Sequence, residues 1–555
     1  MSPDAVKTRR WSWDRWIQVT LVLVGWALRL PPALDNRFHA DEALYAYWGL
    51  LIGRGRDPWL ATVPVYKPPL LPYLLAGTQA LFGTSEFAVR MVGLAAGVVT
   101  VVLVAALCNT LYRHRALATG AAIAVALSPF AILFSATAFT DPVMVALGLG
   151  ASVAAARGRH GWAGLLTGLS FATKQTGLVW VPLVIAIGLI EIQNPKAQIP
   201  KLQIPKPKSQ TPSRPRPRSD IGHRTLDIGH WSLDIGHWSL VIGHWSFPLG
   251  FLLTLVPVFG WDTVRVAQGA ESFWSLGITG YGGLRLIWPQ ELWARLRDWA
   301  EIGRYMFVSP VVNGALLVGL LMLTWRATRK YRYTRVGLTD LFLVTFVMIY
   351  FLLHWLWAFP VWDRYLLPLV PVLAILLGRT ATLLPPLLRP IATRASPLDI
   401  GHWSLDIGHF SFVICHLSLV ISLLLPALTA AQSRYPVGGD HGAYDGIDQV
   451  AAFLRAQPEG AVVYQHWLGW HYADYLFDAP VYLAYWPTPA WLAQDVRAFG
   501  ARGPRYITFP SWESPSRVER ALAGVGYALA PALTTVRRDS TRSFTVYSIQ
   551  PLTNP

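Results

Sequence analysis

About eleven apolar stretches follow one another between residues 16 and 430, and they leave this chain few ways to fold. They lie near 16–34, 88–111, 116–134, 141–156, 161–173, 175–192, 247–261, 306–325, 340–359, 365–378 and 410–430. In lipid every backbone N–H and C=O needs a partner within the segment, so each stretch reads as a helix. Several are shorter than the ~20 residues that cross a bilayer unaided, 161–173 and 365–378 most clearly. Pro68–Phe82 is apolar too, but it is short and opens on Pro-Pro, which suits a re-entrant or surface-lying helix.

Composition agrees with a membrane setting. Only 14% of the 555 residues are charged, where a soluble chain carries roughly 25%. Many of the 26 Trp sit at the ends of apolar runs, as in the aromatic belts of membrane proteins. The net charge of +16 does not point to nucleic acid. From Gln432 onward ten Arg balance ten acidic residues, with no Lys. The positive excess lies between apolar runs instead. If Pro68–Phe82 does not cross, the clusters Lys7/Arg9/Arg10, Arg113/Arg115, Arg157/Arg159, Lys196–Arg224, Arg326–Arg335 and Arg379/Arg389/Arg394 share one side. The positive-inside rule makes that side cytoplasmic. The first apolar run has no small-x-small cleavage site and reads as a retained anchor. Cys108 and Cys415 suggest neither a disulfide nor a metal knuckle.

The expected architecture is an all-α polytopic membrane protein of about eleven transmembrane helices with a small C-terminal extracytoplasmic α/β domain. Its parts are a cytoplasmic N-terminus (1–15), an N-terminal transmembrane region (16–192) with a first outer loop (35–90), an insertion (193–246), a second transmembrane region (247–430) and the outer domain (431–555). In that domain GIDQVAAFLRAQ reads as an amphipathic helix, and AVVYQHW, RYITFP and FTVYSIQ read as strands.

The insertion repeats a heptad. LDIGHWSLDIGHWSLVIGHWSF, Leu226–Phe247, follows a worn copy, DIGHRTL, and returns as LDIGHWSLDIGHFSFVICHLSL at 398–419. The Gly in most copies costs a helix roughly 1 kcal/mol each, so the heptad is expected to be a poor helix. Histidines seven residues apart would stand about 10 Å apart on a helix, too far to share one zinc. The repeat reads as a duplicated stretch tolerated on the cytoplasmic side, where loops accept insertions at modest cost.

Chemistry is richest in the first outer loop, in FHADEALYAYWG and VYKPPLLPYLLAG. Asp41 and Glu42 suit general-base or metal work at a membrane face, and equally a helix start favoured by the helix dipole. Lys67, before Pro68-Pro69, suits a phosphate contact or a snorkelling lysine. Asp141 suits a site carboxylate or a helix N-terminus with Pro142 in its first turn. Arg90 suits a pair with Glu42, a phosphate ligand or an interface anchor. His466 and His471, five residues apart, suit structural roles rather than one metal-binding helical face.

These motifs, with SPFAILFSATAFTDPVMVALGLG and GLLTGLSFATKQTGLVWVPL, resemble the membrane glycosyltransferases of the C superfamily (GT-C). Within it they resemble the protein O-mannosyltransferase and lipid A aminoarabinose transferase group. The likeness covers about residues 17–190, with a late motif at Trp362–Gly378 and no specific match in the C-terminal domain. It implies a hexosyl- or pentosyltransferase of the cell membrane. Its partners would be a polyprenyl-phosphate sugar donor, a protein, lipid or glycan acceptor, and membrane lipids. The reaction would invert the anomeric carbon. Carried over, Asp41 is the base, Glu42 its acidic neighbour and Asp141 a second carboxylate. Lys67 contacts the carrier phosphate, with Arg90, Arg364 and Tyr365 as further binding residues. No cofactor is certain, and a divalent metal ion is compatible with the three acidic residues. Two other classes fit parts of the sequence: a lipid-linked sugar flippase, which would move the lipid without forming a glycosidic bond, and a membrane scaffold, which would depend entirely on the outer domain.

Overall fold

A computed structural model describes residues 3–192, 229–280, 285–329, 334–383 and 407–552. Helices dominate to residue 431, and a five-stranded sheet with short helices follows. Six helices are long and apolar enough to cross a membrane: Trp16–Asp35, Glu86–Tyr112, Trp245–Ala267, Pro310–Arg329, Arg335–Leu356 and Val413–Ala431. The stretch read as one span at 116–134 is two helices, Arg115–Ala126 and Pro129–Ser135, bent by 59°. The reason is local. Ser128 caps the second helix through its Oγ, which accepts the Ala131 N–H, and Pro129 sits in its first turn, where it needs no N–H partner. Counting that pair, up to seven spans are present among the described residues. Leu70–Phe82, Thr140–Ala156, Gln175–Ile190 and Leu369–Ala381 are shorter apolar helices, so the number of crossings is not fixed at eleven by length. Thr140–Ala156 and Leu369–Ala381 are almost wholly buried, which places them inside the bundle and not at its lipid-facing rim.

Glycine allows the closest helix approach. A Cβ on Gly164 would lie 2.0 Å from the Phe247 carbonyl oxygen, and one on Gly168 would lie 1.6 Å from Thr254 Oγ1. The helices His160–Thr173 and Gly229–Ala267 therefore touch backbone to backbone, as small residues permit in membranes.

The expectation for the heptad needs correction where it is described. Gly229–Ala267 is one helix, and so is Ile407–Ala431, so both blocks are helical over their described parts. Each adjoins an apolar helix, and propagating an existing helix avoids the cost of nucleation, which outweighs a few glycines. The rest of the insertion, 193–228, and residues 384–406 lie outside the described residues.

In the C-terminal domain, Ile447–Arg455 is the amphipathic helix read from sequence, and Ala461–Gln465 (β1), Arg505–Pro510 (β3) and Arg542–Pro551 (β5) are the three strands. Two more were not foreseen, Val481–Tyr485 (β2) and Tyr527–Val536 (β4). The sheet order is β2-β1-β3-β5-β4, with β1 parallel to β2 and β3, and β5 antiparallel to β3 and β4. One core, with Val463, Tyr472 and Val546, packs on one face; another, with Ile507, Leu492 and Leu522, packs on the other.

This domain grips the segment that leaves the first helix. Arg538 donates to the Asp35 carbonyl at 2.7 Å, and Asn36 Nδ2 donates to Ser433 Oγ at 2.9 Å. Arg37 pairs with Asp448 at 3.3 Å, and His471 Nε2 lies 2.9 Å from the Phe38 carbonyl oxygen. Burial holds His471 down to about 4, so its ring is neutral and Nε2–H donates. His466 Nδ1 lies 2.8 Å from the Trp486 carbonyl oxygen. Both histidines are thus engaged with backbone.

Candidate active site

The site begins with a helix cap. His39 stands at the N-cap of Ala40–Gly53: its Nδ1 accepts the Asp41 N–H at 3.2 Å, while its own N–H donates to Glu42 Oε2 at 2.9 Å. The cap turns the first two acidic residues in different directions. Glu42 points inward and is fully buried, and Asp41 points toward a cavity.

Glu42 meets Arg90 in a two-pronged ion pair, Nε–Oε1 at 2.9 Å and Nη2–Oε2 at 3.1 Å. Glu42 Oε1 also accepts the Ala138 N–H at 2.9 Å. Arg90 donates further to the carbonyls of Ala33, Asn36 and Arg37. The pair is 0% and 1% exposed and its hydrogen bonds are filled, so neither side chain reaches the cavity. Of the uses open to Arg90 in the sequence, the geometry takes the pair with Glu42. The two lock the 33–37 turn, the start of the Asp41 helix and the 137–139 turn into one block.

Asp41 belongs to a second cluster. Its Oδ2 pairs with Arg364, and Tyr66 donates to its Oδ1 at 3.4 Å. Arg364 comes from the Asp363–Leu366 turn and lies over the rings of Trp362 (4.5 Å) and Phe139 (5.2 Å). Asp141 opens Thr140–Ala156 and pairs with Lys174 at 2.6 Å. Lys174 Nζ also sits 4.6 Å over the ring of Tyr365. Lys67 is buried, its Nζ 5.1 Å over the ring of Tyr66. Burial pushes the Lys67 ammonium well below the usual lysine range, and the charges of Lys174 and Arg364 push the same way against Asp141 and Asp41. Burial pushes the Asp41 carboxyl up, but Arg364, helped by His39 and Lys67, holds it below the usual carboxylate range. Arg364, Lys174 and Lys67 thus face two carboxylates, and once Lys67 is protonated the surplus of positive charge favours an incoming anion.

The cavity is about 580 Å³ and opens beside Asp41 and Arg364. Its walls carry Tyr66, Phe139 and Trp362 from the helical part, Leu276 and Thr279, and Gly439 and His441 from the root of the C-terminal domain.

The structure therefore brings together five of the residues singled out in sequence, Asp41, Lys67, Asp141, Arg364 and Tyr365, and sets Glu42 and Arg90 behind them. Lys174 was missed. Its signal was a lone lysine between the apolar runs 161–173 and 175–192. A divalent metal does not fit the arrangement. Asp41 and Asp141 each already hold a cationic side chain, Glu42 is spent on Arg90, and among the described residues no three His, Cys, Asp or Glu side chains gather as ligands.

Residues 66–203 match the family model described as dolichyl-phosphate-mannose-protein mannosyltransferase. Over nearly its whole length the chain is similar to the crystal structure of ArnT from Cupriavidus metallidurans bound to undecaprenyl phosphate. The identity is 14%, the coverage 97% of this chain and 98% of that one, and the TM-score 0.57. The apo state of the same protein gives 15% identity, 98% coverage of both chains and a TM-score of 0.55. At such identities the likeness is one of fold. No curated protein matches. The motifs between residues 66 and 203 thus match a mannosyltransferase family model, and the fold of the chain is similar to that of ArnT. Lys67, Arg90, Asp141 and Lys174 fall inside the matched stretch. Asp41, Glu42 and Arg364 fall outside it and join the site through folding.

Proposed function

We propose that this protein transfers a sugar from a polyprenyl-phosphate donor to a hydroxyl-bearing acceptor on the outer face of the cell membrane, with Asp41 as the general base. The observation that carries the reading is the meeting of Asp41 and Arg364 on one cavity wall, backed by Lys67 and Lys174. The bound undecaprenyl phosphate of the structurally similar ArnT agrees with a lipid phosphate as the leaving group.

In this reading the donor phosphate lies against Arg364, Lys67 and Lys174, and the prenyl chain lies along the apolar helices. An acceptor hydroxyl enters by the cavity and attacks the anomeric carbon from the side opposite the phosphate. The new C–O bond forms as the sugar–phosphate C–O bond breaks, which inverts the centre. Asp41 takes the hydroxyl proton. The departing phosphate keeps the bonding electrons, and the three cations stabilise the charge it gains. Arg364 pairs with Asp41, and a phosphate that also engages Arg364 would leave the carboxylate freer to take the proton. The C-terminal domain lies on the same, outer side, in keeping with the charge bias of the loops.

The phosphate site is tested with undecaprenyl phosphate itself and the purified full chain in nanodiscs. Lys67→Ala is expected to weaken binding about tenfold or more, the loss of one charge-assisted contact. The pH dependence has a definite sign. Burial and neighbouring cations hold Lys67 low, and a bound phosphate restores its charged form, so binding takes up a proton. Affinity therefore tightens as pH falls from the alkaline side, and Lys67→Arg, charged throughout, flattens that dependence. Unchanged affinity in Lys67→Ala would remove Lys67 from the phosphate site.

A further inference from the structure

The cavity has one wall that the donor chemistry does not use. After the helix Ile407–Ala431 the chain does not rise directly into the C-terminal domain. It first runs back across the helical part as the strap Pro436–His441, which lines the same cavity as Asp41. The strap is anchored from below. Asp363, the residue before Arg364, accepts the Gly438 N–H through Oδ2 at 2.8 Å and the Arg364 N–H through Oδ1 at 2.8 Å. One carboxylate thus ties the backbone of Arg364, whose guanidinium pairs with Asp41, to the strap above it.

Two glycines let the strap lie flat. Gly438 and Gly439 have φ of +81° and +79°, a region open to glycine without penalty. A Cβ on Gly438 would lie 2.7 Å from Leu133 Cβ, and one on Gly439 would lie 2.9 Å from Thr137 Cγ2. Beyond them Asp440 is buried and accepts the N–H groups of Gly442 and Tyr444, which turns the chain sharply away. His441 sits at that turn, exposed, with its surface on the cavity. The half-open indole of Trp362 and the ring of Tyr66 line the same cavity. Aromatic faces beside a few hydrogen-bonding groups suit a ligand with both C–H and hydroxyl surface.

We infer that His441 is an acceptor-positioning residue: from the strap at the root of the C-terminal domain, its imidazole hydrogen-bonds the acceptor and holds a hydroxyl over Asp41. The inference rests on the transferase reading above. It gives the C-terminal domain a direct part in the reaction, since the acceptor cavity is incomplete without its root. The acceptor class is a hydroxyl-bearing molecule small enough at its reacting end to enter between Trp362 and the strap.

Envelope glycans from cells with and without the gene first identify the product and its acceptor. Purified wild type, His441→Ala and His441→Gln are then compared with that acceptor. In His441→Ala the acceptor KM rises about tenfold, the worth of a well-placed hydrogen bond, while kcat stays within about threefold. Binding of undecaprenyl phosphate stays within about twofold of wild type, and His441→Gln, which keeps a side-chain donor and acceptor, recovers part of the loss. An unchanged acceptor KM overturns the inference and leaves the transferase reading standing. So does an equal loss of donor binding, or no recovery with Gln, because each marks a purely structural strap. Identical glycans with and without the gene sink the transferase reading, and this inference with it.

Discussion

Asp41→Asn is expected to cut sugar transfer to a trace while the protein still accumulates in the membrane. The substitution is nearly isosteric: the amide oxygen keeps the Arg364 contact and the NH2 can donate to the Tyr66 hydroxyl, so the cavity wall survives. What is lost is the group able to take a proton from the acceptor. General-base catalysis is worth roughly 10²–10⁴ in rate, and the variant falls by that factor in a transfer assay. Binding of undecaprenyl phosphate does not weaken, because removing a negative charge beside Arg364 leaves that cation freer for phosphate. A variant with full transfer activity would end the role of Asp41 as base.

The second large effect is on folding. Arg90→Met leaves the Glu42 carboxylate buried with no cation, and also strands the carbonyls of Ala33, Asn36 and Arg37. Removing one partner of a buried ion pair costs about 3–5 kcal/mol, a large share of the ~5–15 kcal/mol that keeps a typical protein folded. The variant is expected to accumulate poorly and to melt well below wild type in detergent, by fluorescence-detected size exclusion after heating. Glu42→Leu/Arg90→Leu recovers part of the loss, since no lone charge remains, but not all, because the three carbonyls still lack their donor. Wild-type melting of Arg90→Met would show that the 33–37 turn is held by other contacts.

The difference between these two predictions was only half legible in the sequence. Adjacent acidic residues after the first span marked a site, yet nothing in the spacing said which carboxylate faces the cavity. The His39 cap decides it, and a histidine cap is a weak local signal. The pairing of Glu42 with Arg90 could be offered from sequence because both border the same outer loop. The pairing of Asp41 with Arg364 could not, since 323 residues separate them and only the packing of the helices brings them together. Lys174 stood in plain view between two apolar runs, but a single lysine there reads as easily as a helix-end anchor. His441 carried no signal until the strap was seen.

The fold divided in the same way. Long apolar helices announced themselves through hydropathy. The break at Leu127–Ser128 was hidden because Pro129 lies in a run that stays apolar on both sides. In the C-terminal domain, the strands read from sequence were the more buried ones, rich in β-branched and aromatic residues. Tyr527–Val536 was missed because Pro531 interrupts it, and the register shifts there between Pro531 and Leu533, where a proline can be tolerated at a bulge. The heptad misled in the other direction: its glycines argued against a helix that neighbouring apolar residues were able to extend.

On the proposed function this protein forms a glycosidic bond at Asp41 from a lipid-phosphate sugar. Mass spectrometry of cell-envelope glycans tests it most directly, in cells lacking the gene and complemented with wild type, with Asp41→Asn or with nothing. A sugar-bearing product is expected only with wild type, while polyprenyl-phosphate sugar builds up in the other two. Indistinguishable glycans in all three, or full product with Asp41→Asn, would contradict it.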